Sequence, residues 1–251
     1  MYKGRAFAEA LRAVDVIKGD LWIVSAGLGL IAPDQPIPAY SLTISSGAED
    51  SILPKTGCSP NEWWRELIAV SGNQALPDAG LILFALSAPY LEMIGEDLRK
   101  LTRQGRSQIR IFCGTAPQDL DPELWPFLMP YDARFDAIGG PNPGTQADFA
   151  QRALRHFVEA ILATMPDGTA AQHAEAIEAA LSKFTKRPRP NRTRLSDEAI
   201  IDLIRKDLGL RSVRGRSGPM LRYLRDEREV ACEQGRFKAL FLEATAKGRA
   251  L

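Results

Sequence analysis

Cysteine and histidine are scarce in this 251-residue chain, which has three of the first and two of the second. Cys58, Cys113 and Cys232 are widely separated, and His156 and His173 do not stand beside them at metal-ligand spacing. Neither a disulfide framework nor a structural zinc site is expected. No apolar run approaches the roughly 20 residues of a membrane span, and the opening stretch MYKGRAFAEALRAV lacks the apolar core of a signal peptide. The expectation is a cytoplasmic protein with no membrane partner. Also missing are the G-x-x-x-x-G-K-[ST] phosphate loop, the H-E-x-x-H zinc motif and the G-x-S-x-G nucleophile elbow. Gly27-Leu28-Gly29 is too short for the dinucleotide fingerprint, and prolines follow where a helix would have to start. These absences argue against nucleotide hydrolysis, metalloprotease chemistry and nicotinamide redox, so no cofactor and no metal are expected.

What the chain does contain is an ordinary globular composition, 45% hydrophobic and 25% charged, with a strong division of charge. The net charge is only +1, but residues 183–251 hold 18 Lys and Arg against 9 Asp and Glu, an excess of +9. The rest of the chain, with 14 basic against 22 acidic residues, carries −8. A basic region of domain size is expected to face a polyanion, nucleic acid above all. Lys186 to Arg194, KRPRPNRTR, is broken by prolines that a regular helix does not tolerate. The expected division is therefore a larger domain over 1–185, a basic linker over 186–194 and a small domain over 195–251.

Apolar spacing predicts the elements. Phe7 to Val16 has helical periodicity. Leu21 to Val24, Leu81 to Leu86 and Ile109 to Cys113 have the continuous apolar character of strands buried on both faces of a parallel sheet, and Arg134 to Ile138 reads as a short fourth strand. Ser59-Pro60-Asn61-Glu62 is a helix start with a capping box, and the Trp63 and Trp64 that follow are expected in the core. Ser87 to Tyr90 opens a helix reaching about Leu101, Thr145 and Asp148 open another, and Pro166-Asp167-Gly168 separates that one from an alanine-rich helix over Ala170 to Phe184. Strands alternating with helices predict an α/β fold, a parallel sheet flanked by helices, with Ile23, Leu83 and Ile111 on adjacent strands. In the small domain, helices capped by Ser196 and Ser217 and a third over Cys232 to Ala246 suit a helix-turn-helix-like nucleic-acid-binding module. Arg222, Arg225 and Arg228 recur along its middle helix, and Arg187, Arg189 and Arg192 of the linker are expected to add phosphate contacts.

The loops beyond the strand ends, Gly27 to Thr43, Ser87 to Tyr90, Gly114 to Gln118 and Gly139 to Gln146, fall on one rim, where open α/β sheets bind their ligands. Pro33, Pro36 and Pro38 stiffen the first loop around Asp34 and Tyr40. The rim offers a carboxylate (Asp34), amides (Gln35, Asn142, Gln146), hydroxyls (Ser87, Thr43) and aromatic rings (Tyr40, Tyr90). Such a set suits cleavage of an N-glycosidic bond. As the base departs the sugar gains positive charge, which a fixed carboxylate stabilises while it orients or deprotonates water. A base taken out of the duplex needs a ring to stack on and amides to read its edge.

The string SAGLGLIAPDQPIPAYSLT, with YKGRAF upstream, resembles a group of uracil-DNA-glycosylase-like domains found beside modified-base enzymes and in bacterial defence loci. The shared pattern is a strand followed by SAxxGL, then a Pro-Asp and a Pro-x-Tyr step, and the resemblance covers residues 1 to roughly 150. It implies a uracil-DNA-glycosylase-like fold, with Asp34 as the catalytic carboxylate and Tyr40 as a pocket wall. Asn142 is assigned beside Asp34 in the catalytic set, and Gln35, Tyr40, Ser87, Tyr90 and Gln146 in substrate binding. The expected function is a DNA glycosylase that removes a modified base, such as glucosylated hydroxymethylcytosine, from phage DNA and leaves an abasic site. Its expected partner is double-stranded DNA with that base flipped out. Two alternatives stay open: a modified-DNA-binding protein without catalysis, and an RNA or nucleoside base-modifying enzyme.

Overall fold

The computed structural model describes residues 4–45, 48–72, 76, 80–103, 108–114, 117–138, 144–186, 191–210, 212–213 and 215–246. The chain divides into two units, Met1–Arg187 and Pro188–Leu251. In the first, α1 (Arg5–Ile17) leads into β1 (Ile23–Ser25), which turns and pairs antiparallel with β2 (Gly29–Ile31), Ile23 opposite Ile31. Gly29 closes this turn with φ 76, a left-handed conformation that glycine adopts without steric cost and that short hairpin loops require. Next come α2 (Leu53–Thr56), α3 (Pro60–Ser71), β3 (Ile82–Ala85), α4 (Ala88–Met93), α5 (Gly95–Arg103) and β4 (Ile109–Phe112). β3 and β4 are parallel, with Phe84 opposite Ile111. Short 3-10 turns lead to α6 (Phe149–His156), which continues as a π-helical stretch through Phe157–Leu162, and then to α7 (Ala170–Leu181).

This is a mixed α/β unit, and two sequence expectations about its strands are corrected. Ile23 does not share a parallel sheet with Leu83. The glycines of SAGLGLI fold the chain back on itself, so Leu30 and Ile31, both buried, form a hairpin partner out of residues expected to be loop. Arg134 to Ile138 is not a strand but a 3-10 turn, Ala133–Ala137. Asp132 caps it, accepting from Arg134 N and Arg134 Nε at 2.9 Å each. The backbone donors of Phe135 and Ile138 are spent on the Asp132 and Phe135 carbonyls, leaving them no neighbour to pair with. The helix expected from Ser87 to Leu101 is interrupted at Ile94, between α4 and α5.

β4 is buried along its whole length, and successive residues enter opposite cores as strand alternation requires. Ile109 and Ile111 join Leu30, Ile44, Trp64, Leu91 and Leu98 on one side, while Phe112 joins Tyr131, Phe149, Phe157 and Ile177 on the other. Arg110, 1% exposed, lies between these apolar neighbours. Its Nε donates to His173 Nδ1 at 2.9 Å, Nη1 to the Ile109 carbonyl at 2.8 Å and Nη2 to the Gly168 carbonyl at 2.7 Å. A Cβ on Gly168 would lie 2.6 Å from His173 Nε2, so the turn before α7 needs glycine there.

The second unit contains β5 (Thr193–Arg194), α8 (Asp197–Asp207), α9 (Ser217–Asp226), β6 (Val230–Ala231) and α10 (Gln234–Ala246) around Ile200, Ile204, Met220, Leu224 and Phe237. β5 pairs parallel with β6, Thr193 opposite Val230. The expected linker therefore ends early, because Thr193 and Arg194 are strand. Ser196 caps α8 through Ala199 N. Ser217 is the first residue of α9 and not its cap, which is Arg216 with no side-chain bond. α10 begins at Gln234 because Val230–Ala231 are taken up by β6. Among the described residues no helix is long and apolar enough to cross a membrane.

Candidate functional site

A cavity of about 780 Å³ lies between α1, β1, β3 and α6, a size typical of ligand pockets. At the carboxyl ends of β3 and β4 it is lined by Ser87, Tyr90, Gly114 and Gln146. Ser87 heads α4 in extended conformation, its carbonyl accepting from Tyr90 N and Leu91 N at 3.0 Å each, and its hydroxyl makes no capping bond. That hydroxyl is exposed at the rim, with the half-buried Tyr90 ring one helical turn away. Gln146 follows Thr145, whose N–H donates to Asp148 Oδ1 at 2.8 Å in a capping box. Gly114 lets these pieces close up: a Cβ there would lie 3.2 Å from the Phe149 ring and 3.6 Å from Gln146 Oε1.

Gln146 is held from behind by a buried ion pair. Arg152 Nε donates to Asp148 Oδ1 at 2.8 Å, its Nη2 reaches Asp136 at 3.0 Å, and Arg5 Nε stands 3.3 Å from Asp148 Oδ2. The Arg152 guanidinium also lies 5.4 and 5.6 Å from the ring centres of Phe135 and Phe149. The chain approaches this pair closely at Gly144, where a Cβ would overlap the guanidinium.

Of the residues singled out in the sequence, Ser87, Tyr90 and Gln146 come together on the cavity. Asp34, Gln35 and Tyr40 are not among the residues lining it. Asp34 and Gln35 are exposed in a turn closed by Gln35 N to the Ala32 carbonyl at 3.2 Å, and the Asp34 carboxylate makes no hydrogen bond or ion pair with a described residue. Tyr40 braces the β1–β2 turn instead. Its hydroxyl bonds Ser25 Oγ, which also accepts from Gly27 N and Leu28 N, and its ring lies against Gly27. Trp63 Nε1 donates to the Ala26 carbonyl at 2.8 Å from the other side. Asn142 lies outside the described residues. Gln151, which lines the cavity, had no signal in the sequence. The Asp148–Arg152 pair could have been found from its i, i+4 spacing.

In the small unit the arginines are unequally committed. Arg192 Nε donates to the Arg225 carbonyl and Nη2 to Asp226. Arg225 places Nε and Nη2 on the Cys232 carbonyl at 3.2 and 2.7 Å, and Arg228 places the same two atoms on buried Asp207 at 3.0 and 2.8 Å. Arg222 is exposed and has no partner among the described residues. Arg187 and Arg189 lie outside the described residues. Arg225→Ala is accordingly expected to destabilise the small unit by about 1–2 kcal/mol in urea unfolding, since it frees a half-buried carbonyl. Arg222→Ala is expected to stay within about 0.5 kcal/mol of the parent.

Among the described residues no group of three or more His, Cys, Asp or Glu side chains could hold a metal ion. Comparison with protein-family models, curated proteins and solved structures gave no match.

Proposed function

We propose that the chain is a DNA glycosylase that hydrolyses the bond between deoxyribose and a modified base, glucosylated hydroxymethylcytosine foremost, in phage DNA. The observation that carries this reading is the convergence of a hydroxyl, an aromatic ring and an amide (Ser87, Tyr90 and Gln146) on a cavity at the carboxyl ends of two parallel strands. Tyr90 supplies a stacking face for a flipped base and Gln146 a donor and an acceptor for its edge. In the reaction, water oxygen bonds to C1′, its proton passes to the Asp34 carboxylate, and the C1′–N bond breaks with its electron pair on the departing base, which takes a proton from solvent. The exposure of Asp34 to solvent is compatible with activating water. Cations of the second unit, Arg222 among them, supply phosphate affinity, and Arg222→Ala reduces the slope of log affinity against log salt by about 0.9 if it neutralises one phosphate of duplex DNA.

The test is incubation with unmodified, uracil-containing and glucosyl-hydroxymethylcytosine DNA, followed by alkali to cleave at abasic sites. Cleavage of the glucosylated duplex alone is expected. Asp34→Asn is expected to lower that rate by about 10² or more, the usual contribution of a general base, with an unchanged melting temperature. Full activity in a normally folded Asp34→Asn protein removes Asp34 from the mechanism. One observation favours a second reading, recognition of modified DNA without bond cleavage: Asp34 is not among the cavity-lining residues. Tight, modification-dependent binding with no alkali-labile product would establish it.

A further inference from the structure

Arg5 stands beside the rim of the cavity and is committed to little. It opens α1 immediately before Ala6 and Phe7, which line the cavity, and its Nε lies 3.3 Å from Oδ2 of Asp148, two residues beyond Gln146. The contact is one of charge alone. Asp148 directs its hydrogen bonds elsewhere, Oδ1 accepting from Thr145 N and from Arg152 Nε at 2.8 Å each. The N–H donors of Arg5, which a guanidinium presents as a fixed fork, have no hydrogen-bond acceptor among the described residues, and the side chain is 48% exposed.

Fastening α1 to α6 does not need this arginine. One turn further along α1, Glu9 is buried and accepts from Arg155 Nη1 at 3.0 Å, a tie that has the hydrogen bond Arg5 lacks. An ion pair half open to water and without a hydrogen bond adds little to folding. What Arg5 does add is charge where the site has none to offer. Ser87, Tyr90 and Gln146 are uncharged, Arg152 is buried on Asp148 and Asp136, and the chain outside residues 183–251 carries −8. A nucleotide rotated out of a duplex brings its flanking phosphodiesters to the edge of the pocket its base enters. A protein surface of net negative charge repels them, and a guanidinium fork matches phosphate oxygens two at a time.

We propose that Arg5 is a phosphate anchor: its Nη groups donate to the non-bridging oxygens of the phosphodiester beside the flipped nucleotide, while Asp148 holds the guanidinium at the rim. The inference rests on a base entering this cavity, which the cleaving and the non-cleaving readings above share. It joins base recognition to backbone binding through one carboxylate, since Asp148 carries the turn of Gln146 on Oδ1 and faces Arg5 with Oδ2.

The test measures the affinity of the full chain, from about 50 to 200 mM salt, for a duplex with one glucosyl-hydroxymethylcytosine and for the same duplex unmodified. Arg5→Gln is expected to reduce the slope of log affinity against log salt by about 0.9 on the modified duplex, as one phosphate contact is lost. On the unmodified duplex, where no base leaves the stack, it changes the slope little. Arg5→Lys keeps the charge and restores the slope. Arg222→Ala is the contrast, lowering the slope on both duplexes alike. The melting temperature of Arg5→Gln falls by no more than about 4 °C, as the loss of a weak ion pair allows. An unchanged slope on the modified duplex overturns the anchor, and so does an equal loss on both duplexes, which makes Arg5 an ordinary backbone contact. Failure of the underlying reading shows in the parent chain instead: equal affinity for the two duplexes with no alkali-labile product removes the base pocket, and the anchor with it.

Discussion

Asp148→Asn is expected to lower the stability of the larger unit by about 3 kcal/mol, because it leaves Arg152 buried with its nearest counter-charge removed. Arg152 and Asp148 are 8% and 3% exposed, so water cannot replace the lost carboxylate. The effect falls at the low end for a broken buried pair because Arg152 keeps Asp136 at 3.0 Å and the faces of two phenylalanine rings. For a unit of this size the melting temperature should fall by roughly 6–12 °C, which thermal unfolding followed by circular dichroism at pH 7 measures. Asp136→Asn is the control: Asp136 is more exposed and Arg152 retains Asp148, so a loss of about 1 kcal/mol is expected. Equal losses in the two variants would show that the charge is shared rather than owned by Asp148. The Thr145 turn that carries Gln146 hangs on the same carboxylate, so on the glycosylase reading proposed above, binding of the modified duplex should weaken in Asp148→Asn beyond what the lost stability explains.

Stability should also fall as the pH drops below about 6.5, through two histidines that the fold keeps neutral. His173 is fully buried. Its Nδ1 accepts from Arg110 and its Nε2 donates to the Met165 carbonyl at 2.8 Å. A second proton would sit on Nδ1, facing the guanidinium. Burial, and after it the Arg110 charge, lowers the pKa of His173, outweighing the Met165 bond that favours the charged ring. Burial likewise lowers that of His156, whose Nδ1 lies 2.8 Å from the Tyr131 hydroxyl. Because both folded-state values lie below the unfolded one, the unfolded chain takes protons first. The stabilisation is complete above the ordinary histidine range and is lost as pH falls through it, by up to about 1.4 kcal/mol per pH unit for each ring. Urea unfolding at half-unit steps from pH 7.5 to 4.5 measures the slope, and His173→Gln should make it shallower. A flat profile over that range would falsify the assignment of these rings as neutral. The carboxylates held low by hydrogen bonds, Asp121 and Asp132, add their own loss only at more acidic pH.

The parts legible in the sequence are those whose cause is local. The Ser59 and Thr145 capping boxes need only four residues each, and the two apolar runs that became β3 and β4 announce burial on both faces. An apolar run does not announce its partner, which is why β1 was expected beside β3 when two glycines had already returned the chain to pair with itself. Arg134–Ile138 misled for a related reason: its apolar content suited a strand, but the aspartate just before it competes for the backbone. Arg110 gave no sign at all, since the histidine that accepts from it lies 63 residues away. At the candidate site, Ser87 and Tyr90 were legible because they follow the end of β3, whereas Gln146 was expected beyond a fourth strand that is a 3-10 turn and reaches the cavity through the Thr145 cap instead. Asp34 and Tyr40 stood out on loop composition, which says nothing about the direction a loop takes. Tyr40 turned to the hairpin it follows, and Asp34 to solvent.

The pairing of β5 with β6 decides where the small unit can be cut free. Thr193 N donates to the Glu229 carbonyl at 2.7 Å, and Arg192 is bonded to Arg225 and Asp226. A fragment started at Ser196, the cap of its first helix, would discard those bonds and lay open the strand of Val230, which is 2% exposed in the whole chain. A fragment started at Asn191 keeps them. Two residues of strand, not the first helix, mark the true beginning of the part that can be excised intact.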